Sequence, residues 1–189
     1  IKVGILHSLS GTMTASERPL QQLLVMLIEQ LNESGGLLGR PVEAVIMNPR
    51  SEWQLYAEQA QAMLTQKKVA AIFGCWTSAS RKQVLPIIER ENGLLFYPSQ
   101  YEGEEESPAA IYTGATPRQQ ALPAADYLLR EGRTRFFLTG SAYIYSRTTN
   151  AILRGYLASK NISAKDIEEH YVSDDENWRA LIDRIAAFA

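Results

Sequence analysis

The chain has one cysteine and two histidines among 189 residues, too few for the chemistry those residues usually carry. A lone Cys75 cannot close an internal disulfide, and His7 and His170 do not make a structural zinc site with it. No metal or cofactor is therefore expected, and the cysteine leaves the redox compartment open. An excess of charge of one sign is missing too. Lys+Arg 19 against Asp+Glu 21 give a formal net charge of −2, and no window carries the basic stripe that a nucleic-acid face requires. Nucleic acid is not an expected partner. No apolar run approaches the roughly 18 residues needed to span a bilayer. GxGxxG, Walker and G-x-S-x-G patterns are all absent, which leaves dinucleotide, nucleoside triphosphate and nucleophile-elbow chemistry unsupported. The chain opens on Ile1 rather than Met, so a start codon and any signal peptide are expected upstream.

What is present is an ordinary globular composition, 46% hydrophobic and 21% charged, able to bury a sizeable core. The run KVGIL (2–6) reads as a buried strand. A loop rich in Ser and Thr follows, and Pro19 is expected to open a helix. On that helix Leu20, Leu23, Leu24, Leu27, Ile28 and Leu31 recur at helical spacing until Gly35 and Gly36 stop it. Residues 41–47 read as a second strand. Ser51 is the expected N-cap of a helix whose apolar face is Tyr56, Ala57, Ala60, Met63 and Leu64. Further strands are expected at 69–74, 94–98, 111–114, 135–140 and 167–172. Helices are expected after 77 and over 117–131, 147–160 and 176–188, with Pro86 able to kink the first of these. Strand and helix alternate with short connections, which implies an α/β, doubly wound parallel sheet covered on both faces. Glu102, Glu104, Glu105 and Glu106 read as a solvated acidic loop.

In open parallel sheets ligands sit outside the carboxyl ends of the strands. That rule selects four loops, 7–13, 74–80, 97–103 and 139–147, all dense in hydroxyls and rings. The combination suits a small polar ligand, enclosed by rings and oriented by hydroxyls and helix-start N–H groups. The same Ser and Thr residues serve equally as helix caps, and the rings as core edges. Cys75 follows a strand as a nucleophile would, and His7 ends one. A buried inert thiol is the commoner fate, however, and no acid at a meaningful spacing supports the histidine. Binding is favoured over turnover; no catalytic residue is assigned.

Six blocks then resemble one family: VGILHSLSGTM (3–13), GGLLGRPVE (35–43), FGCWTSASRKQVLP (73–86), LLFYPSQYEG (94–103), IYTGATPRQQ (111–120) and FLTGSAYIYSRTTN (137–150). They resemble the type I periplasmic binding proteins, within them the branch serving urea and short-chain amides, which includes transporter substrate-binding proteins and an amide sensor. The resemblance implies two Rossmann-like α/β lobes joined by three hinge strands and closing around a ligand. It assigns residues 1–119 to a first lobe without its return segment and 120–189 to the beginning of a second, incomplete lobe. It places Trp76, Thr77, Ser78, Tyr97, Ser99 and Gln100 at the first-lobe wall, and Tyr143 and Tyr145 on the second-lobe side. Ser78 and the helix-start N–H groups would donate to a ligand carbonyl, while Ser99 and the tyrosine oxygens would accept from its NH₂ groups.

One loop departs from the family pattern. Where relatives read GSDY, then an aromatic and PR, this chain has GSAYIYSR, with Ala142 for the acid and Ser146 for the proline. Losing the carboxylate removes an anchor for an ammonium group, which weighs against an amino acid ligand, and also an acceptor for NH₂ donors. The resemblance implies a periplasmic or extracellular solute-binding protein working with an ABC transporter permease. The alternative is a ligand-sensing domain, cytoplasmic if an amide regulator, that acts on a downstream signalling component. The hinge side can support a homodimer.

Overall fold

A computed structural model describes residues 1–188. The chain forms two compact units, Ile1–Gln100 with Glu105–Gly114, and Tyr101–Glu104 with Ala115–Ala189.

The first unit is a five-stranded, wholly parallel sheet in the order β2-β1-β3-β4-β5. Its strands are β1 (Lys2–Leu6), β2 (Glu43–Met47), β3 (Ile72–Gly74), β4 (Leu95–Tyr97) and β5 (Ala110–Tyr112). Helices α1 (Thr14–Glu33), α2 (Trp53–Thr65) and α3 (Ser78–Arg90) make the crossovers. The chain leaves β1 toward β2 and then returns past β1 to add β3 on its other side. Right-handed crossovers therefore put α1 on one face and α2 and α3 on the other, and the strand order reverses between β1 and β3. β1 pairs with β2 from Lys2↔Glu43 to Leu6↔Met47, and with β3 from Gly4↔Ile72 to Leu6↔Gly74. Gly74 is required by that second pairing, since a Cβ there would lie 2.4 Å from the Leu6 carbonyl oxygen. Ile5, Leu6, Tyr56, Ala60, Met63, Ile72, Val84, Ile88 and Leu95 are fully buried and form the core.

Three expectations are corrected here. α1 begins at Thr14, five residues before Pro19, which the helix holds in its second turn. Of the six periodic apolar residues, Leu20, Leu24 and Ile28 are partly buried, whereas Leu23, Leu27 and Leu31 are exposed. A helix on a sheet buries a single stripe, and the stripe here runs Glu17, Leu20, Leu24, Ile28. Ser51 is not the cap of α2: Glu52 holds that position without a side-chain bond, while Ser51 adopts a left-handed φ of 61° and ties loops together. The expected helix face holds, with Tyr56, Ala60 and Met63 fully buried.

The acidic loop is only half solvated. Glu104 and Glu106 are exposed, but Glu102 is buried, and Glu105 pairs with Arg81 at 2.7 Å and Lys82 at 2.9 Å. Two cations within reach outweigh hydration for that carboxylate.

The second unit contains a two-stranded parallel sheet, β6 (Phe136–Ser141) with β7 (Ile167–Val172). Its helices are α4 (Ala121–Arg130), α5 (Ile144–Ser159) and α6 (Trp178–Phe188), and a 3-10 turn at Ala164–Asp166 precedes β7. Ala125, Phe136 and Leu157 form its core, with Leu129, Leu138, Leu153, Tyr156, Ile162 and Ile167 against them. β7 matches the expected residues, while α4 starts four residues later than expected and α5 three earlier.

Candidate functional site

The reversal of strand order between β1 and β3 directs attention to the loops that leave those strands. Residues 7–13 are rooted by a buried polar cluster. Glu17, in the first turn of α1, is fully buried; its Oε2 accepts the Ser8 N–H at 2.7 Å and faces His7 Nδ1 at 3.3 Å. Its Oε1 accepts the Tyr56 hydroxyl at 2.5 Å. The Ser51 N–H donates to Ser8 Oγ at 2.8 Å, and because the Tyr56 proton is given to Glu17, the Ser8 hydroxyl donates to the Tyr56 oxygen, also at 2.8 Å. Burial, and then the bond to Glu17, push the Tyr56 pKa well above the ordinary tyrosine value, so the phenol stays protonated. Outside this cluster, Asn48 Oδ1 accepts the N–H groups of Leu9 and Arg50, and Nδ2 donates to Ser10 Oγ. Ser51 Oγ accepts the Met13 N–H and donates to the Ser10 carbonyl. Gly11, at φ +86°, lies where a Cβ would come within 2.5 Å of the Arg50 carbonyl oxygen.

The loop after β3 is set with equal firmness. Cys75 has φ 64°, a left-handed conformation that costs a non-glycine residue about 1–3 kcal/mol. Its N–H donates to the Leu6 carbonyl at 3.0 Å, which joins the two loops through the sheet. Burial, and then the charge of Glu17, hold the Cys75 thiol protonated well above the usual range, and the side chain is fully buried. Neither Cys75 nor the equally buried His7 is open to a substrate. Thr77 caps α3, its Oγ1 accepting the Ser80 N–H at 3.1 Å, and Ser80 Oγ returns a bond to the Thr77 carbonyl at 2.8 Å. The Tyr97 hydroxyl donates to the Trp76 carbonyl at 2.8 Å.

Trp76, Thr77, Ser78 and Tyr97 are thus gathered about the start of α3. Trp76 is exposed, Thr77 partly so, and Ser78 and Tyr97 are buried. Ser99, partly buried, and Gln100, exposed, follow β4; the Ser99 carbonyl lies so close to Gly114 that a Cβ there would meet it at 1.9 Å. Tyr143 is the N-cap residue of α5 and Tyr145 lies in its first turn, both partly buried in the second unit. Sequence reasoning missed Glu17 and Arg81. The signal for Glu17 was available, because it lies in phase with Leu20, Leu24 and Ile28 and so falls on the buried stripe. Neither loop 7–13 nor loop 74–80 carries an Asp, Glu, Lys or Arg. Among the described residues no group of three His, Cys, Asp or Glu could hold a metal, and no helix is long and apolar enough to cross a membrane.

A family model described as a periplasmic binding protein domain matches residues 1–189. Among solved structures, the branched-chain amino acid transporter substrate binding protein LivJ from Streptococcus pneumoniae, in complex with isoleucine, superposes with a TM-score of 0.80 at 19% identity. The match covers 97% of this chain and 53% of that one. A leucine binding protein LivK from Thermotoga maritima gives 0.73 at 19% identity, covering 100% and 53%. An ABC transporter substrate-binding protein from Sphaerobacter thermophilus gives 0.82 at 20%, covering 100% and 52%. The chain spans about half the length of these structures.

Proposed function

We propose, from the premise that this chain belongs to the periplasmic binding protein domain family, that it recognises a small neutral polar solute such as urea or a short-chain amide. The solute would be captured in the periplasm and delivered to an ABC transporter. One observation carries the reading: at the reversal point of the first sheet, the start of α3 and the exposed Trp76 indole lie in hydroxyl-rich loops that carry no Asp, Glu, Lys or Arg. A neutral amide needs donors for its carbonyl and acceptors for its NH₂ groups, and Ser and Thr hydroxyls supply both. Each net hydrogen bond contributes about 1 kcal/mol, so four or five with aromatic enclosure are consistent with micromolar affinity. Trp76, Thr77, Ser78, Ser99 and Gln100 are the proposed ligand residues of the first unit, with Tyr97 fixing the Trp76 backbone. Tyr143 and Tyr145 are proposed for the second unit on the resemblance alone.

A second reading, an aliphatic amino acid, is favoured by the isoleucine in the LivJ structure. The start of α3 suits a carboxylate. Ala142 in place of an acid argues against the ammonium half of that ligand. Calorimetric titration of the full-length protein with urea, formamide, acetamide, leucine and isoleucine separates the two. Heat with an amide and none with either amino acid is expected; leucine or isoleucine binding with no heat from any amide overturns the amide assignment. A ligand sensor would use the same site but pass closure on as a signal instead of releasing solute, and a signalling domain elsewhere in the full-length protein would identify it.

A further inference from the structure

We infer that Arg81 and Tyr97 form a relay that positions the Trp76 indole at the candidate site. Arg81, on the buried face of α3, is a positioning residue that acts on Trp76 through Tyr97. The consequence for ligand binding rests on the function just proposed, whereas the relay can be tested without any ligand.

Trp76 follows the left-handed Cys75 and is 39% exposed, so its placement depends on how the peptide after Cys75 is held. The Cys75 N–H is bonded to the sheet, and the Trp76 carbonyl takes the Tyr97 hydroxyl at 2.8 Å. Tyr97 is fully buried, and its ring stands edge-on to Tyr112 with centroids 6.2 Å apart. The Arg81 guanidinium lies over that ring, 4.9 Å from its centroid. Arg81 is itself fully buried, and its Nε–H donates to Glu105 at 2.7 Å. Glu105 also accepts from Lys82 and from the Tyr112 hydroxyl, each at 2.9 Å. A broad guanidinium held over the ring face restricts its rotation and keeps the hydroxyl aimed at Trp76. An apolar side chain would fill the space under α3 without the desolvation cost of a buried guanidinium, but it would not hold the ring in this way.

The test uses the full-length protein with Trp53, Trp178 and every tryptophan outside residues 1–189 replaced by Phe, so that Trp76 alone is excited at the red edge of the tryptophan band. Acrylamide quenching reads its exposure, and circular dichroism checks the fold. Tyr97→Phe removes only the hydroxyl; losing one net hydrogen bond shifts the ratio of open to held loop about fivefold. With 39% of the residue already exposed, full release bounds the rise in quenching at about 2.5-fold, and a measurable rise within that bound is expected. Arg81→Lys, which keeps the charge and loses the guanidinium over the ring, is expected to raise quenching in the same direction. The double variant should add nothing to Tyr97→Phe, because Arg81 acts through that hydroxyl. Unchanged quenching in folded Tyr97→Phe overturns the inference, as does an Arg81→Lys effect that adds in full to it. Amide affinity, measured by calorimetry on the same variants, is expected to fall with each single change, by at most about fivefold. A protein that binds no amide but still shows the quenching pattern refutes the proposed ligand and leaves the relay standing.

Discussion

Tyr56→Phe removes one oxygen from the fully buried polar cluster of His7, Ser8 and Glu17 in the first unit. In the native protein that oxygen donates to Glu17 Oε1 at 2.5 Å and accepts from Ser8 Oγ at 2.8 Å. Hydrogen bonds to a charged partner contribute about 1.5–3 kcal/mol each, and the substitution also leaves Ser8 with one proton unplaced. The ring stays and leaves no large cavity, so the expected loss is about 2–3 kcal/mol. With a urea m-value of roughly 1–3 kcal/mol/M for a unit of this size, the unfolding midpoint should fall by about 1 M or more. The alkaline limb gives a second readout. Because the folded pKa of Tyr56 is raised, folded protein holds the phenolic proton more tightly than unfolded protein does. This contribution is fully present below the ordinary tyrosine value near pH 10 and is lost as pH rises beyond it. Wild type should therefore lose stability from about pH 10 upward, and Tyr56→Phe should lose less over the same range. Urea titrations at pH 7, 9.5 and 11 check both. A loss under about 0.5 kcal/mol at pH 7, or identical alkaline slopes, would refute the assignment of this cluster as the anchor of loop 7–13.

Cys75 should resist a thiol reagent at pH 8 in the native state and react fully in denaturant, since the side chain is sealed and its thiolate disfavoured; stopped-flow labelling measures the ratio. Thr77→Ala should destabilise the first unit by about 1 kcal/mol through loss of the cap on α3, and Thr77→Ser should recover most of it, as read by thermal unfolding. Glu105, although its partial burial acts to raise its pKa, is held below the usual carboxylate range by Lys82 and Arg81. Its contribution is present above the ordinary carboxylate pKa and is lost as pH falls through the lowered value. Glu105→Gln should therefore cost stability at pH 7 and nearly none at the acid end, which denaturation at pH 7 and pH 3 compares.

Much of the fold was legible because it is written in local periodicity. β7 was read correctly to the residue, and the strict alternation of strand and helix led directly to a parallel α/β sheet. Helix starts were less legible. Pro19 looked like an opening residue because proline suits a first turn, but the bonds from the Ser16 and Glu17 N–H groups back to the Met13 carbonyl start α1 earlier. Ser51 looked like a cap because serine before an apolar run usually is one. Its hydroxyl is instead engaged by Met13 and Ser10, some forty positions away in the chain. The acidic loop misled for a similar reason, since the cations that desolvate Glu105 lie on α3, more than twenty residues earlier.

By itself the sequence determined the class of the fold, the position of the hydroxyl-rich loops at the ends of strands, and the absence of charge in the two loops at the reversal point. Each of these comes from the order and type of neighbouring residues. Only the tertiary structure decided which polar residues are engaged in supporting the loops. Glu17 meets Tyr56 across 39 positions, and Tyr97 meets Trp76 across 21. Whether a hydroxyl faces solvent or is consumed inside depends on such distant pairings, and they exist only once the sheet has brought β1, β3 and β4 side by side.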